Sequence, residues 1–313
     1  MTTPDPARIF GNYEILARLG RGGMAEVFRA RVIKGPRAGW MVALKRLLPE
    51  LADDPGYVDL FASEADLLRF LTHPNIVQVY EAGLLDDVYF MVMEWVDGRD
   101  LGQILRRCKQ RTIPLPVDFA LYITRVLVDA LGYAHEAKSP SGRPLGLVHC
   151  DVSPSNLFIS RGGEVKLGDF GVARGPLLTR AEGLEGRVEG KPFYFSPEVL
   201  AGEVSPQADL WAAAVLLSEC LTLERPFRGQ TPEEVFASIR SGGRLRPSAM
   251  RPDMPPGVDA VLERALAKRP QDRFASAAAF ADALTPLYDE RVGTPLGIAG
   301  LVRGLFGVGD GPG

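Results

Sequence analysis

Cysteine is scarce in this 313-residue chain: Cys108, Cys150 and Cys220 lie far apart, odd in number and without a Cys-x-x-Cys. That excludes a disulfide framework and a zinc site, and it fits a reducing compartment. Long apolar runs are missing too; none approaches the ~20 residues a membrane helix needs. The first residues, Met1-Thr2-Thr3-Pro4-Asp5-Pro6, carry neither the basic segment nor the apolar stretch of a signal peptide. The expectation is a cytoplasmic protein with no transmembrane segment. A formal charge of −3 gives no electrostatic reason to expect nucleic acid as a partner. No internal repeat is visible. What is present is ordinary globular composition, in a chain long enough for one large domain or two lobes with a substantial core.

The chain is organised around His149-Cys150-Asp151-Val152-Ser153-Pro154-Ser155-Asn156-Leu157-Phe158, which sets an Asp and an Asn five positions apart between two short strand signals, Leu147-Val148 and Leu157-Phe158-Ile159. A loop held at both ends suits such a pair. The carboxylate can take a proton from an incoming hydroxyl, and the amide oxygen can help hold a metal ion. Lys166-Leu167-Gly168-Asp169-Phe170-Gly171 then brings a second carboxylate to the end of a strand. Two carboxylates and an amide make a site for Mg²⁺ and phosphate.

From Tyr13 the pattern is β: Tyr13 to Leu19, a turn Gly20-Arg21-Gly22-Gly23-Met24, then Ala25 to Val32. Backbone N–H groups in such a turn can approach phosphates, although a bare turn without a ligand is the competing reading. A dinucleotide-binding site would need a helix after the glycines, and alternating strand residues follow instead. Trp40 to Leu47 is an apolar strand holding Lys45. A lysine there is ordinarily an edge-strand surface residue unless a carboxylate meets it. Helical spacing of Leu60, Phe61, Glu64, Leu67, Leu68 and Leu71 supplies one, because it puts Glu64 on the buried stripe. A buried carboxylate is costly unless paired, so a Lys45–Glu64 ion pair is expected. Ile76 to Tyr80 and Val88 to Glu94 read as two more strands around an Asp86-Asp87 turn, giving five strands and one helix before the hinge-like Asp97-Gly98. Beyond it the pattern is mainly helical.

Gly20-x-Gly22, Val42-Ala43-Leu44-Lys45, Glu64, His149-Cys150-Asp151, Asn156, Asp169-Phe170-Gly171, Ser196-Pro197-Glu198, Asp209-x-Trp211 and Arg273 follow one another in order. Over roughly Tyr13 to Leu287 the chain resembles the protein kinase superfamily, in its bacterial serine/threonine (eukaryotic-like, Hanks type) branch. The resemblance implies an α+β, bilobal protein kinase-like fold: a flexible arm (1–12), a small lobe with a five-stranded antiparallel sheet (13–96), a mainly helical large lobe (97–288) and a Gly-rich tail (289–313). It implies an ATP-dependent kinase acting on Ser/Thr hydroxyls of protein substrates in bacterial signalling, with ATP and Mg²⁺ or Mn²⁺. Lys45 would hold the α- and β-phosphates, with Glu64 fixing its ammonium. Asp169 and Asn156 would bind the metal, and Asp151 would orient and deprotonate the acceptor. Leu19, Gly20 and Gly22 would cover the nucleotide. Adenine would lie between Val27 and Ala43 on one side and Phe158 on the other, beside Met93, with backbone contacts at Glu94 and Val96, and Asp100 would meet the ribose. Leu68, Val79, His149 and Phe170 would form an apolar column, Glu198 and Arg273 a buried pair, and Asp209 an anchor for the catalytic loop.

Four positions depart from the family pattern. Ala25 replaces the third loop glycine. Cys150 replaces the Arg that receives a phosphorylated activation segment, which implies activity independent of such phosphorylation. Between Gly171 and Ser196 the only Ser or Thr is Thr179, the candidate for autophosphorylation. Ser153 stands where a Lys is usual and Lys191 where a Thr is usual. Either Lys191 supplies the positive charge at the transferring phosphoryl group, or it faces solvent and selects acidic substrates. Cys150 reads as a redox switch or as a buried, inert thiol. The departures also leave a pseudokinase scaffold as the alternative to an active enzyme. The tail, with Leu296, Ile298, Leu301, Val302, Leu305 and Phe306 among several glycines, is read as a segment docked on the large lobe or a partner, or as disorder; each Gly costs a helix about 1 kcal/mol relative to Ala.

Overall fold

A computed structural model describes residues 8–170, 192–242 and 244–307. The chain divides between Val96 and Asp97 into two compact units. The first is a sheet of strands β1 (Ile9–Phe10), β2 (Tyr13–Arg21), β3 (Ala25–Val32), β4 (Met41–Leu47), β5 (Val79–Leu85) and β6 (Val88–Glu94), with one helix, α1 (Pro55–Leu68). The strands are antiparallel in the order β1-β2-β3-β4-β6-β5. The sheet therefore has six strands, not the five expected. The added one, β1, lies in the stretch read as a loose arm: Phe10 is buried and meets the Phe90 ring edge-on at 5.5 Å. Two residues are too few to show an alternation, so composition alone concealed it.

Strand alternation sorts the sheet into two faces. Phe28, Ala30, Val42, Leu44, Phe90 and Val92 form one apolar cluster with Phe10 and Tyr13. The residues between them, Val27, Ala43, Lys45, Met91 and Met93, point the other way, and the register sets Val27 opposite Lys45 and Ala43 opposite Met93. Asp54 caps α1 by accepting from the Gly56 N–H at 2.8 Å, with Pro55 in the first turn.

The second unit opens with a three-stranded sheet, β7 (Gly98–Asp100), β8 (Leu157–Ser160) and β9 (Val165–Leu167), in that order. Gly98 is required there, since a Cβ would sit 1.9 Å from the Ile159 carbonyl oxygen. Residues 147–148 form no strand, contrary to the sequence reading. Helices follow as α2 (Leu101–Arg111), α3 (Val117–His135), α4 (Pro206–Thr222), α5 (Pro232–Ser241), α6 (Val258–Ala265), α7 (Ala277–Leu284) and α8 (Pro295–Phe306). Helix α4 is buried on nearly every side and forms the centre of this unit. Beside it the fully buried Arg273 pairs with both oxygens of Glu198, at 2.5 and 2.7 Å. Its remaining N–H groups go to the carbonyls of Gln207, Ala267 and Lys268, so all five donors are used.

Helix α8 decides between the two readings of the tail. Ile298, Ala299, Val302 and Leu305 are buried, while Leu296 on the opposite side is 76% exposed. Arg107 Nε donates to the Leu305 carbonyl at 3.1 Å and Arg111 Nη1 to that of Gly304 at 3.0 Å, satisfying the orphan acceptors of the last turn. Glycine permits the docking rather than opposing it: a Cβ on Gly163, at φ 86°, would sit 1.7 Å from the Pro295 oxygen. Within α8, Gly297 packs closely, since a Cβ there would sit 3.0 Å from the Phe119 ring, whereas Gly300 and Gly304 have nothing within 4 Å of that position. Burying a carboxylate at Val302 should undock the helix at a cost of about 2–4 kcal/mol. In Val302→Asp, amide hydrogen exchange should speed up throughout α8 while α4 stays protected; unchanged protection of α8 would count against this packing.

Candidate active site

In the first unit the glycine turn joins β2 to β3, closed by the Gly22 N–H donating to the Ala25 carbonyl at 2.8 Å. Gly20 and Gly23 have nothing within 4 Å of where a Cβ would lie. Neither has a positive φ. The protein's own packing therefore does not demand glycine at either position, and the open space suits a group that approaches the backbone. On the face shared with Val27 and Ala43, Lys45 Nζ lies 2.8 Å from Glu64 Oε1, with side chains only 10% and 5% exposed. The alternation of β4 and the helical spacing of α1 converge on that contact. Breaking such a pair by removing one partner costs about 3–5 kcal/mol, because the other charge stays buried. Ala43 and Met93 are buried on the same face, and Leu19, Val27, Glu94 and Val96 are half-buried. The Glu94 N–H is taken by the Gln78 carbonyl at 2.8 Å.

In the second unit Asp209, near the start of α4, governs the loop before Asp151. Its Oδ2 accepts from the His149 N–H at 2.7 Å and its Oδ1 from the Cys150 N–H at 3.0 Å. His135 Nε2 adds a third contact at 2.8 Å. Cys150 is thereby held at φ 61°, a conformation that costs a non-glycine residue about 1 kcal/mol or more. The wholly buried His149 continues the network. Its Nδ1 accepts from the Asp151 N–H at 3.2 Å, so its Nε2 carries the proton donated to the Gly168 carbonyl at 3.1 Å. Burial holds its pKa below the ordinary value, against the pull of Asp209 and Asp151, which keeps the ring neutral. Phe170 packs on this ring at 4.4 Å.

Asp151 is fixed in turn by Asn156, whose Nδ2 donates to the Asp151 carbonyl at 2.8 Å and to its Oδ2 at 2.9 Å. The tight turn Pro154–Asn156 between them brings the two side chains together, and Asn156 O accepts from the Gly168 N–H at 2.9 Å, next to Asp169. Asp169 takes a left-handed φ of 50°. The structure thus unites Asp151, Asn156 and the Asp169 segment in one unit, and Lys45 with Glu64 in the other.

Asp100 ends β7 and caps α2, accepting from the Gln103 N–H at 2.7 Å. Burial pushes its carboxyl up, against the Gln103 N–H and Arg106, which lower it. Phe158, on β8, is half-buried. Ser153 is buried and its Oγ lies 3.1 Å from Ser155 Oγ, so it brings no charge to the loop. Burial, then the nearby Asp209 and Asp151, push the Cys150 thiol up to about 12, and its Sγ faces the Val148 carbonyl. Of its two readings, the inert thiol is favoured. Gly171, Thr179 and Lys191 lie outside the described residues. Sequence reasoning missed the His135–Asp209 contact, which joins positions 74 apart without a local signal.

The chain matches the family model for the protein kinase domain over residues 13–284. It is 39% identical over 310 residues to tyrosine-protein kinase MasK of Myxococcus xanthus, a match covering 95% of this chain and 46% of that one. It is 37% identical over 284 residues to the probable serine/threonine-protein kinase SCO3848 of Streptomyces coelicolor, covering 87% of this chain and 39% of that protein. Among solved structures, the PknI kinase domain of Mycobacterium tuberculosis is 31% identical with a TM-score of 0.65, over 89% of this chain and 97% of that one. The chain spans less than half the length of these two curated relatives. Matched across both units, from the glycine turn to α7, this chain belongs to the protein kinase domain family.

Proposed function

We propose that this chain transfers the γ-phosphoryl group of ATP to hydroxyl groups of protein substrates. The observation that carries the reading is the Asp151 carboxylate held by the Asn156 amide at 2.9 Å, on a loop that Asp209 fixes from beneath. A base held in this way can accept the proton of an acceptor hydroxyl without first reorganising. Lys45, oriented by Glu64, binds the α- and β-phosphates, and the open glycine turn lies over them. Val27, Ala43 and Met93 supply the apolar face for adenine. Because the Glu94 N–H is already engaged, a ligand contact there falls on its carbonyl. Asp100, at the start of α2, is assigned to the ribose hydroxyls.

The donors at Asn156 and Asp169 are hard oxygens, which fit Mg²⁺ or Mn²⁺. Among the described residues no group of three or more His, Cys, Asp or Glu forms a self-sufficient metal cage. Phosphate oxygens and water would complete the set, as Mg²⁺ sites usually require. When bound, the ion neutralises charge on the phosphates. Lys191 is proposed as a further cation at the transferring group, in place of the charge that Ser153 lacks.

Ser/Thr acceptors are the favoured class because Pro154 follows the serine/threonine catalytic-loop pattern, and Thr179 is the candidate for self-modification. A tyrosine acceptor is the second reading, favoured by the similarity to the tyrosine-protein kinase MasK and left open by Ser153. Phosphoamino-acid analysis of the products separates the two.

Asp151→Asn should lower transfer from ATP·Mg²⁺ by about 10²–10⁴-fold while nucleotide binding persists; full activity in this variant would exclude Asp151 as the base. Gly20→Ala should leave the unfolding midpoint within about 2 °C yet raise the KM for ATP three- to tenfold, a loss of roughly 1 kcal/mol. Equal ATP kinetics in that variant would return the turn to a bare hairpin.

A further inference from the structure

A cavity of about 680 Å³ opens beside the catalytic loop, lined by Ser153-Pro154-Ser155, by α2, by Phe193-Tyr194 and by the segment after α4. Ser153 lies two residues beyond Asp151, a reach of at most ~7 Å along the chain. A polypeptide presenting a hydroxyl to Asp151 would run its neighbouring residues through this space.

The lining has a marked charge excess. Four cations face the cavity, Arg106, Lys109, Arg225 and Arg228, against two carboxylates, Glu219 and Glu224. Both carboxylates are already engaged from within the wall. Glu224 pairs with Lys109 at 2.7 Å, and Glu219 accepts from the Tyr194 hydroxyl and lies 3.7 Å from Arg225. Arg225 is also stacked over the Phe193 ring at 4.0 Å, which keeps its charge in the wall. Arg106 and Arg228 are exposed, and among the described residues neither forms an ion pair with a carboxylate, although Arg106 also feels Asp100. The floor is apolar, with Leu105 and with Phe227 stacked on Trp211. A short cationic groove with an apolar floor fits a peptide that alternates acidic and aliphatic side chains. The net charge of −3 shows that this excess is local.

We propose that this groove docks acidic polypeptide segments next to the acceptor, so that the kinase selects substrates flanked by Asp or Glu, with Arg228 and Arg106 as the specificity-determining residues. The inference rests on the kinase reading. It adds the substrate class, for which charge complementarity is the argument.

Two measurements keep inference and reading apart. Binding of three fluorescein-labelled peptides, each with one Ser flanked by Glu, by Ala or by Lys, is followed by anisotropy on the intact chain. Phosphate transfer to the same peptides is followed in parallel. The Glu peptide should bind about tenfold more tightly than the Lys peptide, with a preference that weakens as salt rises. Arg228→Glu should abolish or reverse the preference, and Arg106→Glu should do so independently should the first variant misfold. A charge preference in binding without any transfer would sink the kinase reading and leave the groove standing. Transfer to all three peptides with equal affinity, or a preference untouched by both reversals, would overturn the groove.

Discussion

The carboxylate of Asp209 sets the geometry on which the catalytic loop depends. Two backbone N–H groups converge on it only because Cys150 adopts a left-handed conformation, and that conformation persists because the carboxylate rewards it. The chain of consequences runs outward from there. His149 is positioned to accept from the Asp151 N–H and to donate toward Gly168, Asp151 projects from a fixed backbone, and Asn156 closes the loop from the far side. Helix α4, apolar almost throughout, makes this possible by carrying one buried acid to a place where every oxygen finds a donor.

The first unit reaches its chemistry by a different route. A strand places alternate residues on opposite faces, so a single apolar run supplies the core with Val42 and Leu44 and the other face with Ala43 and Lys45. The buried ammonium is tolerated because α1 delivers Glu64 to it. Neither residue would be stable there alone.

Much of this was legible in the sequence because the signals are local or periodic. The glycine turn, the strand around Lys45, the stripe carrying Glu64 and the Asp151–Asn156 spacing each announce themselves within a few residues. The Asp86-Asp87 turn did so as well, and both residues take the left-handed φ that a two-residue hairpin of this kind requires. What escaped was non-local. Strand β1 is too short for a period, and His135 meets Asp209 across the fold. The docking of α8 was hidden for the same reason, because the close approach of Pro295 to Gly163 joins distant parts of the chain and a propensity scale carries no information about it.

Among the described residues the sheet of the first unit ends in two edge strands, β1 and β5, and each carries features that work against self-association. On one side β1 offers only two residues for another strand to pair with. On the other, β5 loses register between Val79 and Glu81 and ends at two adjacent aspartates. Short length, irregular pairing and like charge at the tip are the devices by which natural sheets avoid edge-to-edge aggregation. The same Asp86-Asp87 pair that closes a hairpin thus also guards an exposed edge, where Leu84 would otherwise invite a second copy.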